Sequence, residues 1–292
     1  LSSQLSHPNI VNVYDVQQDG DNFFLTMELL EGQALRSYLQ NIKNTRQIYQ
    51  VEDAVELITK ICKALHYAHE YTVHSNIKPE NIWLCSNGKI KVMDFGLKRL
   101  QSASQNSASG AVLGTTYYMA PEQIQGQASD ARSDLFSLGI VLYEMITGVK
   151  PFSGQNLKQI SQRITNEEYT PLAEIYAKNH SKCNAKINGQ SNIKHKKTPK
   201  VDLPIALIAV VEKLLQVKPA ARYQTAAALA HDINAINVKF NHKKNWFQQQ
   251  HWLTKTLLIM PIIAILTWSM RTVMFPPSTQ ELIERQLVDL PK

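Results

Sequence analysis

Residues 73–96 read VHSNIKPENIWLCSNGKIKVMDFG, and the reading of the whole chain turns on them. Asn87-Gly88 is a strong hairpin-turn dipeptide, and the apolar runs on either side of it within 82–93 predict two short antiparallel strands. A hairpin brings the residues at its two ends to one place. Here those residues are Asn81, ahead of the first strand, and Asp94, behind the second. An amide oxygen and a carboxylate so placed form a donor pair of the kind Mg²⁺ accepts.

Upstream, residues 10–16 (IVNVYDV) and 23–29 (FFLTMEL) are β-prone runs separated by the turn-forming QQDGDN, and predict a first hairpin. After EGQ the period changes. In 51–70, Val51, Val55, Ile58, Cys62, Leu65 and Ala68 recur at spacings of three and four, which predicts a core helix. Downstream, 101–110 (QSASQNSASG) is small and polar and reads as a loop with nothing to bury. The helical period returns over 130–148, 155–166, 203–216 and 224–238. Residues 172–202 read as a basic insertion: seven lysines lie between Lys178 and Lys200 with no acid among them. A solvated connection fits it, and so does a surface for an acidic partner or anionic lipid headgroups.

That segment carries much of the formal charge of +7. No aromatic residues interleave with its lysines and no nucleic-acid fold signature is visible, so the expectation is no nucleic acid partner. Cys62, Cys85 and Cys183 are scattered without a CxxC pair, which argues against disulfides and a zinc site and suits a reducing cytosol. The opening LSSQLSHPNIV reads as the end of a helix running into a strand, with no secretory signal at this end.

The most apolar stretch is 252–275, WLTKTLLIMPIIAILTWSMRTVMF. As a helix its 24 residues would extend about 36 Å, enough for a bilayer core if Lys255 and Arg271 reach toward the two interfaces. Trp246, Trp252 and Trp268 suit an aromatic belt. The expectation is a transmembrane helix at 252–275, preceded by a juxtamembrane linker at 241–251 and followed by a short tail at 276–292. The alternative is a buried or interfacial helix. Lysines and arginines close to the span favour the large N-terminal part on the cytoplasmic side, a single-pass protein of the inner or plasma membrane.

Four motifs stand in order: HSNIKPEN at 74–81, DFG at 94–96, GTTYYMAPE at 114–122 and SDLFSLG at 133–139, with ARYQTA following at 221–226. Together they resemble the eukaryotic-like serine/threonine protein kinases, in particular the bacterial membrane-anchored group, over about residues 5–238. The resemblance implies an α+β, protein-kinase-like fold over 1–240: a small-lobe remnant at 1–30, then a helical C-lobe at 31–240. It also implies ATP and Mg²⁺ as cofactors and a protein substrate or partner. Position by position, Asp94 is similar to the Mg²⁺-binding Asp, Asn81 to the second metal ligand, and Lys78 to the lysine that steadies the transferring phosphate. Met27 resembles the gatekeeper, Glu28 and Leu30 the residues whose backbone meets adenine, and Trp83 the residue beneath the base. Thr115 is similar to the threonine that bonds the catalytic Asp, Glu122 and Arg222 to a buried ion pair, and Asp134 to the residue that holds the catalytic-loop backbone.

The departures are as informative. Asn76 stands where the family carries the Asp that accepts the substrate's hydroxyl proton, and an amide cannot be that base. Ser75 replaces the Arg that pairs with a phosphorylated activation loop, and Ala34 falls where a polar ribose contact is common. The family's glycine-rich loop, strand lysine and helix glutamate belong ahead of the position of Leu1, so weak ATP binding is expected of these residues. Three readings follow: a weakly active membrane-anchored kinase, a membrane-tethered pseudokinase that binds partners, and the remnant of a truncated kinase gene.

Overall fold

The computed structural model describes residues 5–20, 22–45, 49–95, 114–178 and 203–236. Its first element is an antiparallel hairpin of β1 (Val13–Asp19) and β2 (Asn22–Met27), turned at Gly20 with φ 58°. The sequence predicts a wider turn over 17–22. Gly20 takes the positive φ that a tight connection demands, so the ladder runs on to Asp19 opposite Asn22.

A second sheet has three antiparallel strands in the order β3 (Gly32–Ala34), β4 (Ile82–Cys85) and β5 (Ile90–Val92). The Asn87-Gly88 turn is where the dipeptide puts it, with Gly88 at φ 77°. The third strand was not evident from sequence: β3 is three residues long and carries no alternation of its own. Its Gly32 is at φ 138°, and a Cβ there would meet the Leu84 carbonyl oxygen at 2.1 Å. Only glycine lets the two backbones come this close.

The segment 9–12 joins the two sheets. Ile10 bridges Val92 in parallel, Val11 N–H donates to Val92 O, and Asn12 O accepts from Glu28 N–H. Lys91 is buried beside it, donating to Ile10 O at 3.0 Å and pairing with Glu28 at 2.5 Å, while Glu28 also accepts Asn12 N–H at 2.8 Å. A nearly buried ammonium is tolerable because carbonyl and carboxylate both meet it.

The rest is helical: α1 (Leu35–Thr45), α2 (Val51–Ala68), α3 (Pro121–Ile124), α4 (Ala131–Thr147), α5 (Leu157–Thr165), α6 (172–178), α7 (Ile205–Leu214) and α8 (226–236). In α2 the face read from the sequence is buried from Val51 to Ala68. Helix α4 is buried on every side from Ser133 to Thr147, so it is the axis of the domain. Asp130 caps its start and Gly148, at φ 72°, ends it. At Gly139 a Cβ would lie 2.7 Å from the Leu214 Cβ, so α7 crosses α4 where a side chain is missing.

One expectation needs correcting. Residues 172–178, read as the start of the basic insertion, form α6, with Leu172 and Tyr176 both buried. Their spacing of four places them on one helical face, which the lysines that follow concealed. The remainder of that insertion, the loop at 101–110, the linker at 241–251, the apolar segment 252–275 and the tail at 276–292 lie outside the described residues. Among the described residues no helix is long and apolar enough to cross a membrane.

Candidate functional site

The loop 73–81 is held by its main chain. Asp134, fully buried near the start of α4, accepts His74 N–H at 2.9 Å on Oδ2 and Ser75 N–H at 2.7 Å on Oδ1, and His69 Nε2 meets Oδ2 at 2.9 Å. Gln123 of α3 donates its amide to Ser75 O at 3.0 Å and accepts Ala120 N–H at 3.0 Å, tying this loop to the APE segment. Ser75 is thereby fixed at φ 62°, an uncommon conformation for a residue other than glycine. The buried His74 ring packs against Phe95 with centroids 4.5 Å apart and meets Met93 O through Nε2 at 2.7 Å. Its burial lowers its pKa, against the opposing pull of Asp134.

On this frame the sequence-predicted residues Asn76, Lys78, Asn81, Asp94 and Thr115 come together. Asn81 donates its side-chain amide to Asn76 O at 3.0 Å, and its own carbonyl accepts Met93 N–H at 2.9 Å, so the residue before Asp94 is bonded directly to Asn81. Lys78 Nζ reaches Thr115 Oγ1 at 3.2 Å across 37 positions of chain. Asp94 is at φ 65°, and its carboxylate has no hydrogen bond or ion pair among the described residues. The Asn76 side-chain amide is likewise without a bond among them, in a half-buried position.

These residues fit a hard cation. Asn81 uses its amide nitrogen internally and leaves its oxygen for a ligand, and Asp94 supplies a carboxylate unpaired among the described residues. No group of three or more His, Cys, Asp or Glu side chains that could hold a metal occurs among the described residues. A two-oxygen site suits Mg²⁺, which is commonly bound by one or two side chains together with substrate phosphates.

The residues expected around a nucleotide are less unified. Met27 shares a small apolar cavity with Asp94, Phe95, Leu5, Ile10, Val11, Val13 and Leu25. Glu28, Leu30 and Trp83 are not among its walls. The Glu28 side chain turns to Lys91, whereas sequence alone had assigned only its backbone a task. Its carboxylate is held below the usual range, because the hydrogen bonds of Lys91 and Asn12 outweigh the opposing effect of burial. Leu30 is half-buried after the hairpin. Trp83 sits in the central strand opposite Ala34 and Lys91, half-buried, and its indole N–H is enclosed without a partner among the described residues.

Another cluster escaped the sequence reading. Arg36, in the first turn of α1, donates to Glu80 at 2.8 Å and to Glu144 at 2.8 Å, and also meets the Tyr118 hydroxyl, which bonds Glu144 in turn. Lys150 Nζ lies over the Tyr117 ring, 3.8 Å from its centroid. Glu80 and the two tyrosines stand inside quoted motifs. Arg36, Glu144 and Lys150 come from separate helices and loops with no local signal. Glu122 and Arg222 do pair, Arg222 also donating to three backbone carbonyls.

The protein kinase domain family matches the chain over residues 1–233. The chain is 35% identical over 243 residues to the serine/threonine-protein kinase PknB of Mycolicibacterium smegmatis, which covers 81% of this chain and 34% of that protein. It is 30% identical over 262 residues to the serine/threonine-protein kinase PrkC of Bacillus subtilis, covering 89% and 36%. To the tyrosine-protein kinase MasK of Myxococcus xanthus it is 31% identical over 239 residues, covering 79% and 33%. The chain thus spans about a third of the length of the curated relatives it matches. With the matched family covering most of its length, the chain belongs to the protein kinase family, in its eukaryotic-like bacterial serine/threonine group.

Proposed function

We propose that this chain is a serine/threonine protein kinase-like protein that binds ATP with Mg²⁺ and transfers the γ-phosphoryl group to a protein hydroxyl only slowly. The observation that carries this reading is the bonded set Asn76, Asn81 and Met93, which Asp94 directly follows, with Lys78 bonded to Thr115. Asp94 and Asn81 would hold the metal, whose role is to offset charge on the phosphates. Lys78 would meet the transferring group, and Met27, the backbone of Glu28 and Leu30, and Trp83 would border the base.

The rate is limited by Asn76. A carboxylate there would take the hydroxyl proton as the bond to phosphorus forms, whereas an amide oxygen can only orient the hydroxyl. General-base help is worth roughly 10²–10⁴ in rate. Because the transition state is largely dissociative, orientation alone leaves some turnover.

A second reading is favoured by the same residue: a pseudokinase that binds nucleotide or partner protein without turnover. Two measurements decide. In a thermal-shift titration, ATP with Mg²⁺ is expected to raise the melting temperature of the full chain but not of Asp94→Ala; equal shifts, or none, remove nucleotide from the account. With labelled ATP and a Ser/Thr peptide, Asn76→Asp is expected to raise phosphate incorporation by at least about tenfold. A wild type that binds ATP, with neither version labelling the peptide, establishes the pseudokinase reading.

We also propose that the protein is a single-pass protein of the inner or plasma membrane, with 252–275 as the span and the kinase-like domain cytoplasmic. The uncharged run between Lys255 and Arg271 supports this. Release of the full chain from membranes by alkaline carbonate would overturn it.

A further inference from the structure

The surface beside Thr115 carries a cation without a counter-ion among the described residues. Lys150 Nζ lies 3.8 Å from the Tyr117 ring centroid and 5.6 Å from that of Tyr118, and among the described residues it has neither a hydrogen bond nor an ion pair. Tyr117 and Tyr118 follow Thr115 by two and three positions, and Thr115 is the residue that Lys78 reaches. The ammonium therefore stands next to the segment that, on the proposed function, receives the peptide.

The nearby carboxylates are already engaged. Glu80 and Glu144 each take a nitrogen of Arg36 at 2.8 Å, and Glu144 also holds the Tyr118 hydroxyl. Among the described residues the charged groups that act on Lys150 are Glu144, Arg36, Glu80 and Lys43, so with Lys150 itself three cations stand against two carboxylates. Burial lowers the pKa of Lys150, as expected for an ammonium partly desolvated against aromatic faces. A basic side chain arriving here finds its acids occupied, whereas an acidic one finds a pre-positioned, half-dry lysine.

We infer that Lys150, seated on Tyr117 and Tyr118, is a specificity residue that recognises a carboxylate side chain of the bound protein, so that this chain selects acidic peptides. The inference rests on the peptide-substrate reading above and adds the substrate class. Arg36 contributes by occupying one oxygen each of Glu80 and Glu144, the two acids that would otherwise attract basic sequences.

The test uses the full chain and fluorophore-labelled nonapeptides with a central serine and glutamine elsewhere, in which glutamate, lysine or phosphoserine is stepped through each flanking position. Binding is followed by anisotropy at low and high salt. Glutamate at one or two positions is expected to tighten binding by about tenfold over the glutamine parent, as for one charge-assisted contact, and less at high salt. Lys150→Met, which keeps an apolar stem over the ring, should abolish that gain, whereas Lys150→Arg should retain it. Equal binding of glutamate and glutamine peptides overturns the inference but not peptide binding. So does a gain that survives Lys150→Met, a preference for lysine, or phosphoserine binding more than about tenfold tighter than glutamate at the same position. If no peptide binds, the inference and the peptide-substrate reading fall together, while the ATP thermal shift still reports on the nucleotide half.

Discussion

Arg222 grips Glu122 with two nitrogens, each 2.8 Å from a different carboxylate oxygen, across 100 positions of sequence. The arginine is fully buried and its remaining donors go to the carbonyls of Gln216, Val217 and Arg132. This pair fastens the end of the APE motif to the turn ahead of α8.

Arg222→Met therefore removes one half of a buried pair and leaves Glu122 with Ser133 as its hydroxyl donor. The expected loss of stability is about 3–5 kcal/mol, read as a shift in the denaturant midpoint. The double variant Arg222→Met, Glu122→Gln should recover part of that loss, because no uncompensated charge then stays inside.

Gly32→Ala should destabilise by about 2–4 kcal/mol, since its Cβ would press on the Leu84 carbonyl at 2.1 Å and its φ of 138° is strained for any other residue. The control is Gly88→Ala. There φ is 77° and nothing lies within 4 Å of the added carbon, so a cost of only about 1 kcal/mol is expected.

His74 predicts a pH dependence. Burial lowers its pKa in the folded chain, with Asp134 and Met93 O opposing. The unfolded chain therefore binds a proton first, and the stability that comes from keeping the ring neutral is present above about pH 6.5 and is lost as pH falls below it. Chemical denaturation from pH 7.5 to 5.5 should show decreasing stability. The His74 ring resonances should titrate below the ordinary histidine range, and titration at or above about 6.5 would contradict the burial argument.

Asn76→Asp should leave stability within about 0.5 kcal/mol of wild type, because the position is half-buried and its bonds in the described structure are made by backbone atoms. Thermal unfolding without ligand checks this. An activity change in that variant then reflects chemistry and not folding.

The elements legible in the sequence were those whose signal is local. The Asn87-Gly88 turn, the apolar face of α2 and the motif order needed only neighbouring residues to be read. What stayed hidden depends on distant partners. β3 exists because Gly32 lets a three-residue run lie against β4, and α6 because Leu172 and Tyr176 find the core. The Arg36 cluster has the same cause: Arg36 and Glu144 are 108 positions apart, and neither belongs to a motif that was singled out. At the site, Asn76, Lys78, Asn81, Asp94 and Thr115 were named from sequence and lie together. Glu28 was only half read, since its backbone was considered and its side chain was not.

Asp134 holds the loop by accepting the backbone N–H groups of His74 and Ser75, donors that every residue but proline supplies. Mutation can thus rewrite what the loop carries without disturbing how it is shaped. In such an architecture chemical competence and form are inherited separately: a lineage can surrender its proton acceptor in one step, and a single reversion finds the mould still waiting.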